Sequence, residues 1–303
     1  MFENLEKRFE ELSSVLGVLE YIAIFFFSLI VLETAWDIYT KRRTKYKETI
    51  ANFFIAFISA LLERTLYGAI FVICLTVTES FISYKIPLTW WSWALALLAA
   101  DLTYYWMHRF EHEIRILWAN HIVHHSSPEY NLTTSLRLAW VDSLIEWIFL
   151  VPMIVIGFEV TQTIIAFLFI VVYQTWIHTE KIGKLKGLDK IFNTPSVHRV
   201  HHGSNRKYLD KNYGGVLMIW DHLFGTYQAE EEKVKYGVTI PLNSSNPLTI
   251  NFKEYWLIAK DVRSSKSIND AFGYIFGRPG WRPKRNKKDQ ELSLDASKGM
   301  REN

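Results

Sequence analysis

Ten histidines are distributed unevenly over 303 residues, and nine of them are spaced so that they could do chemistry together. Five fall between Asp101 and His125, as His108-x-x-x-His112 followed by His121-x-x-His124-His125. A second burst, His198-x-x-His201-His202, comes later, and His178 stands between the two at the end of an apolar run. Residues three or four apart share one face of a helix, so each burst can aim imidazoles at one point. Neutral imidazole suits zinc, copper, iron and nickel. Nine ligands exceed what one ion can take, which predicts a two-metal centre held by His108, His112, His121, His124, His125, His178, His198, His201 and His202.

Other metal chemistries fit less well. A structural zinc site takes four ligands and favours cysteine among them, yet the sole cysteine, Cys74, lies in an apolar run. No H-E-x-x-H protease helix occurs, since Glu111-His112 is followed by Glu113-Ile114-Arg115. Paired zinc used for hydrolysis employs carboxylates, which are scarce here, whereas paired irons activate dioxygen for attack on unreactive C–H bonds. Asp101, two turns before His108, is expected to accept the far N–H of a metal-bound imidazole and fix its orientation. Glu111 and Glu113 are expected to point elsewhere or to pair with Arg109 and Arg115. His222 is expected to lie outside the metal shell.

Half the residues are hydrophobic and 16% aromatic, while mean hydropathy is only +0.04, so apolar segments alternate with polar ones. A net charge of +3 is too small to imply nucleic acid. The acidic stretch Met1 to Leu12 lacks a cleavage site, so no signal peptide is expected. Residues 1–14 suggest a short interfacial helix and Val15 to Trp36 a first membrane span. Lys41, Arg42, Arg43, Lys45 and Lys47 follow, and so basic a loop is expected on the cytoplasmic side. Ile50 to Thr78, Ile86 to Met107, Leu144 to Phe158 and Val160 to Ile177 are further apolar stretches long enough to enter a bilayer. An outward crossing by 50–78, a return by 86–107 and a hairpin over 144–177 would bring every histidine group to one face.

The chain therefore reads as an all-α integral membrane protein with about four to five embedded helices and a cytoplasmic, histidine-rich di-metal cap. Its expected parts are an N-terminal span and basic loop (1–49), a di-metal catalytic domain (50–250), an amphipathic segment suited to a membrane surface (251–282) and a disordered basic tail (283–303). There is no internal repeat; the two H-x-x-H-H groups share a ligand pattern only.

The three histidine groups resemble those of the fatty acid hydroxylase/sterol desaturase superfamily of di-iron membrane oxygenases. Longer strings narrow the likeness to its alkylglycerol monooxygenase family: HHSSPEYNLTTSLR (124–137), YQTWIHTEKIGKL (173–185), IFNTPSVHRVHHGSN (191–205), YLDKNYGGVLMIWDHLFGTY (208–227) and GRPGWRP (277–283). The resemblance covers about residues 50–285. It implies two irons, dioxygen as co-substrate and a lipid substrate hydroxylated beside an ether oxygen. It also implies an electron donor, tetrahydrobiopterin in the animal enzymes and cytochrome b5 or a ferredoxin-type partner in the sterol desaturase relatives.

The chain departs from the animal pattern at Val197, where a further histidine is usual, and at His222, where arginine is usual. It also departs in the additional membrane spans that follow GRPGWRP there. A sterol desaturase or an acyl lipid hydroxylase is the alternative within the superfamily. A histidine-rich metal transporter or storage protein is the alternative outside it, and would need acidic residues along the spans, where only Glu33, Glu63, Asp101 and Glu146 are available. The expected setting is a bacterial inner membrane or, in a eukaryote, the endoplasmic reticulum.

Overall fold

The computed structural model describes residues 2–40 and 46–283. Among these the chain is helical, with no strand and one isolated antiparallel bridge between Phe192 and Leu217. Residues 41–45 of the basic loop and the basic tail from 284 lie outside the described residues. The expected break between an interfacial helix and a first span is absent, since α1 runs without interruption over Phe2–Tyr39.

The second apolar stretch is longer than expected. Helix α2 (Tyr46–Leu62), a π-helical turn (Glu63–Tyr67) and α3 (Gly68–Ser80) join end to end. The resulting Tyr46–Ser80 is the one helical stretch among the described residues that is long and apolar enough to cross a membrane. Only 11% of its most apolar window is buried, the reverse of a helix from a water-soluble core.

Helix α4 (Trp90–Glu113) starts at Thr89, whose hydroxyl accepts from Ser92 N while Ser92 Oγ accepts from Thr89 N. This reciprocal pair satisfies two amides with no partner inside the helix. Fully buried Ala96 and Ala100 let α4 lie close to α6 (Ser143–Ile156) and α7 (Val160–Trp176). The hairpin between α6 and α7 turns at Gly157 with φ +110°, which a side chain would resist. Together α3, α4, α6 and α7 enclose the largest apolar core, around Leu75, Leu150, Met153 and Ile170.

Beyond this bundle the chain turns polar and forms the cap. Helix α5 (Arg115–His125) follows α4 after one extended residue, Ile114. Short helices α8 (Pro195–His201) and α9 (Ile219–Phe224) follow. The amphipathic segment expected over 251–282 forms two helices, α10 (Pro247–Arg263) and α11 (Ile268–Phe276). The division falls where the Ser267 hydroxyl accepts from Asp270 N and starts a new helix.

Candidate metal centre

The extended residue Ile114, with φ −116° and ψ 118°, folds α5 back beside α4. Arg115 locks this reversal from a buried position, donating to Glu254 at 2.9 Å and Asp261 at 2.7 Å on α10. The far end of α5 is held by Arg137, which is 0% exposed. Its guanidinium donates to Val123 O, Ser126 Oγ, Glu48 and Asn52, tying the last turn of α5 to the first of α2. Arg199 performs the same service for α8, donating to Thr179 O, Ile182 O and Glu230. Three buried arginines thus align the elements that carry the histidines.

Nine histidines meet as two groups. His108, His112, His121, His125 and His201 form one; His124, His178, His198 and His202 form the other. Within each group one nitrogen from every ring lies within 4.8 Å of all the rest. Both adjacent pairs are split: His125 and His201 join the first group, His124 and His202 the second. Rings of the two groups also touch, His125 stacking on His202 with centroids 4.3 Å apart.

Proton accounting argues for cations between these nitrogens. A carbonyl oxygen only accepts, so a ring nitrogen facing one carries its hydrogen. Nδ1 of His108 donates to Tyr213 O at 3.0 Å, Nδ1 of His201 to Lys211 O at 2.9 Å, and Nδ1 of His178 to Gln174 O at 2.7 Å. In the neutral ring the opposite Nε2 is then a bare lone pair. Yet Nε2 of His178 faces two other Nε2 atoms, of His124 at 3.0 Å and His198 at 2.9 Å. Nε2 of His108 faces that of His121 at 3.0 Å, and that of His201 faces His125 at 3.0 Å. Nε2 of His112 is buried with no hydrogen-bond partner. A lone pair cannot accept from two imidazoles at once, whereas a metal ion takes them all.

The spacing bears on the ion. Nitrogens about 2.1 Å from one ion stand about 3.0 Å apart at right angles and about 3.4 Å apart at the tetrahedral angle. Neighbouring nitrogens 2.9–3.2 Å apart, in groups no wider than 4.8 Å, are close enough to share one ion. Burial lowers the pKa of all nine imidazoles, that of His178 to about 3 and of His201 to about 4. Each ring is thereby kept neutral, the form that binds metal.

The expectation for Asp101 needs correction. Its carboxylate accepts from Val216 N, Leu217 N and Trp220 Nε1 rather than from an imidazole. Asp221 does similar work next door, accepting from Tyr213 N, Gly214 N and the Thr226 hydroxyl. Both acids hold the 213–220 segment, whose Tyr213 carbonyl orients His108, so Asp101 serves the histidines at one remove. Buried Asn212 completes the device in the left-handed region, φ +60°. Its side chain donates to Val197 O and Gln228 O, and the turn aims the carbonyls of Lys211 and Tyr213 at His201 and His108.

The carboxylate that does meet an imidazole is Glu111, expected to point elsewhere; it is buried, with Oε2 3.1 Å from Nδ1 of His121. Glu113 pairs with Arg109 and also reaches Arg278. His222 lies apart, exposed, with Nε2 3.0 Å from Lys190 O and its ring stacked on Tyr227. A cavity of about 420 Å³ opens onto His112, His125, His201 and His202 and is walled in part by Trp118, Ile240 and Leu257.

The comparisons agree with this centre. The fatty acid hydroxylase family model matches residues 93–226. The chain is 37% identical over 283 residues to alkylglycerol monooxygenase of Homo sapiens, covering 92% of this chain and 63% of that protein. It is 43% identical over 195 residues to alkylglycerol monooxygenase of Danio rerio, covering 64% and 43% respectively. It is 32% identical over 138 residues to the ornithine lipid hydroxylase OlsE of Rhizobium tropici, covering 44% and 40%. The chain thus spans less than two thirds of the length of these relatives. No solved structure matches it. Residues 93–226, the stretch that resembles the fatty acid hydroxylase family model, contain all nine converging histidines.

Proposed function

We propose that this protein is a membrane-embedded di-iron monooxygenase that cleaves glyceryl ether lipids. The observation that carries the reading is the convergence of nine neutral imidazoles, eight buried and that of His121 partly buried, into two groups whose bare nitrogens face one another. The alkylglycerol monooxygenases it resembles support the ether substrate. Bound in the two groups, iron would supply the activation of dioxygen that attack on an alkyl C–H bond requires.

The chain's own residues do the rest. The nine histidines would hold the ions, Glu111 orients His121, and the carbonyls of Lys211, Tyr213 and Gln174 fix three further rings. Burial leaves little of the rings exposed outside the cavity that opens onto His112, His125, His201 and His202. The cavity beside His112 and His201 gives an apolar carbon a way in, past Trp118 and Leu257. In the overall reaction one oxygen atom enters the C–H bond beside the ether oxygen. The other leaves as water, with two electrons and two protons from tetrahydrobiopterin or from a cytochrome b5 or ferredoxin-type donor. The resulting hemiacetal breaks its C–O bond, giving a fatty aldehyde and a free glycerol hydroxyl.

Membrane embedding is supported by the length and outward apolar faces of Tyr46–Ser80, including Phe54 and Phe57, and by exposed Phe25 and Leu32 on α1. The apolar stretches support a count of four to five embedded helices, and the basic segment at 41–47 supports a cytoplasmic histidine face. Purified protein given iron, oxygen and a reduced pterin should release fatty aldehyde from an alkylglycerol. Hydroxylation or desaturation of an acyl lipid or sterol, with ethers ignored, would leave the oxygenase reading standing and overturn the ether substrate.

A further inference from the structure

A path of touching aromatic rings leads from the second histidine group to the surface. Tyr130 is buried, with its ring 5.1 Å from that of His202 and 5.7 Å from that of His178. On its other side it stacks on Tyr236, with centroids 4.8 Å apart and planes only 5° from parallel. Tyr236 lines a surface hollow of about 280 Å³ together with Glu33, Asp37, Glu129 and Lys233. Its hydroxyl donates to Oε1 of Glu180 at 3.0 Å.

Phenol oxidation needs somewhere for the proton to go, and this separates the two tyrosines. The Tyr130 hydroxyl donates to the carbonyl of Ile177, which is too weak a base to take the proton. Tyr213, beside the first group, has a buried hydroxyl with no partner. Tyr236 faces an exposed carboxylate. An electron can therefore leave Tyr236 as its proton leaves along the existing hydrogen bond. Electron tunnelling falls exponentially with distance, and the Tyr130 ring, in contact with both sides, couples Tyr236 to the histidines across that gap without itself having to give up a proton.

We propose that Tyr130 and Tyr236 form a protective outlet that carries oxidising equivalents away from the histidines when dioxygen is activated with no lipid bound. The proposal rests on the oxygenase reading above. One electron passes from Tyr236 through Tyr130 to the oxidised centre, and the Tyr236 hydroxyl proton moves to Glu180 and on to water. The resulting phenoxyl is returned to phenol by one electron and one proton from a soluble one-electron reductant, a thiol or ascorbate. Without this outlet the hole stays on the imidazoles, where it oxidises His178 and His202.

The test uses iron-loaded full-length protein without lipid, frozen within milliseconds of mixing and read by electron paramagnetic resonance. One arm supplies oxygen and reductant, the other hydrogen peroxide. A tyrosyl signal that is lost in Tyr236→Phe, which keeps the stacked ring, is the expected result. Mass spectrometry of that variant should show oxidised His178 and His202 rising, and the number of turnovers before inactivation should fall several-fold while the initial rate on lipid is unchanged. A signal in the peroxide arm alone would uphold the outlet and count against the oxygenase reading. No signal in either arm, a signal that survives Tyr236→Phe, or histidine oxidation equal to that of the parent protein would overturn the proposal.

Discussion

The carboxylate of Glu111 lies 3.1 Å from Nδ1 of His121, reaching across from the helix that carries His108 and His112 to the helix that follows it. A carboxylate so placed fixes the ring's tautomer and makes its other nitrogen a better donor. Glu111→Gln keeps the size of the side chain and exchanges one carboxyl oxygen for an amide nitrogen. We expect metal affinity to fall about 10- to 100-fold, with helix content unchanged. Competition with a graded chelator, followed by metal analysis, reads this directly; equal retention by variant and parent would refute the role.

The segment beneath His108 should tolerate almost no added bulk. A Cβ on Gly215 would lie 2.5 Å from Ile170 Cγ2 and 2.8 Å from Asp101 Oδ1. Gly215→Ala should therefore cost about 1–3 kcal/mol through overcrowding. Asp101→Asn turns one acceptor into a donor against N–H groups of Val216, Leu217 and Trp220, at a similar cost of about 1–3 kcal/mol. Denaturant unfolding of the purified protein tests both, and the prediction fails if either variant matches the parent.

Metal stoichiometry should report the two groups separately. His112→Ala and His178→Ala each strike one group and leave the other's ligands intact. Each should lower the content from two irons per chain towards one, with a different site emptied in each case. His222→Ala should keep both irons, because that ring binds Lys190 O and Tyr227 instead. Two irons retained in His178→Ala would remove it from the ligand set.

Membrane sidedness can be read with single cysteines at positions 44, 128 and 205 in a chain whose Cys74 is replaced by alanine. All three should resist an impermeant thiol reagent applied to intact cells and react once the membrane is opened. Reaction from outside at 128 or 205 would place the histidine cap on the wrong face.

The histidine bursts were legible because helical ligand spacing leaves a local pattern. Their division into two groups was not, since it depends on one extended residue, Ile114, and on where α8 docks. The ring-orienting acceptors were hidden for a different reason: the carbonyls of Gln174, Lys211 and Tyr213 are backbone, and any residue type offers one. Glu111 could have been found, for it lies three residues after His108 on the same helical face. Asp101 stands out two turns before His108, yet its partners lie 115 to 119 residues away. The division of the C-terminal segment was also visible, since Arg263-Ser264-Ser265-Lys266-Ser267 is a run without an apolar residue that ends in a capping serine.

The two split pairs have a consequence for distance. His124 and His125 are neighbours in sequence, as are His201 and His202, yet each pair serves both groups. Successive side chains on a helix diverge by about 100°, and their Cα atoms are about 3.8 Å apart across one planar peptide. Each pair is thus a covalent spacer, and two spacers from separate helices face each other across the centre. The separation of two ions held in these groups would be gauged by the main chain itself, so a protein built this way could keep its metals at a constant interval without any side chain bridging them.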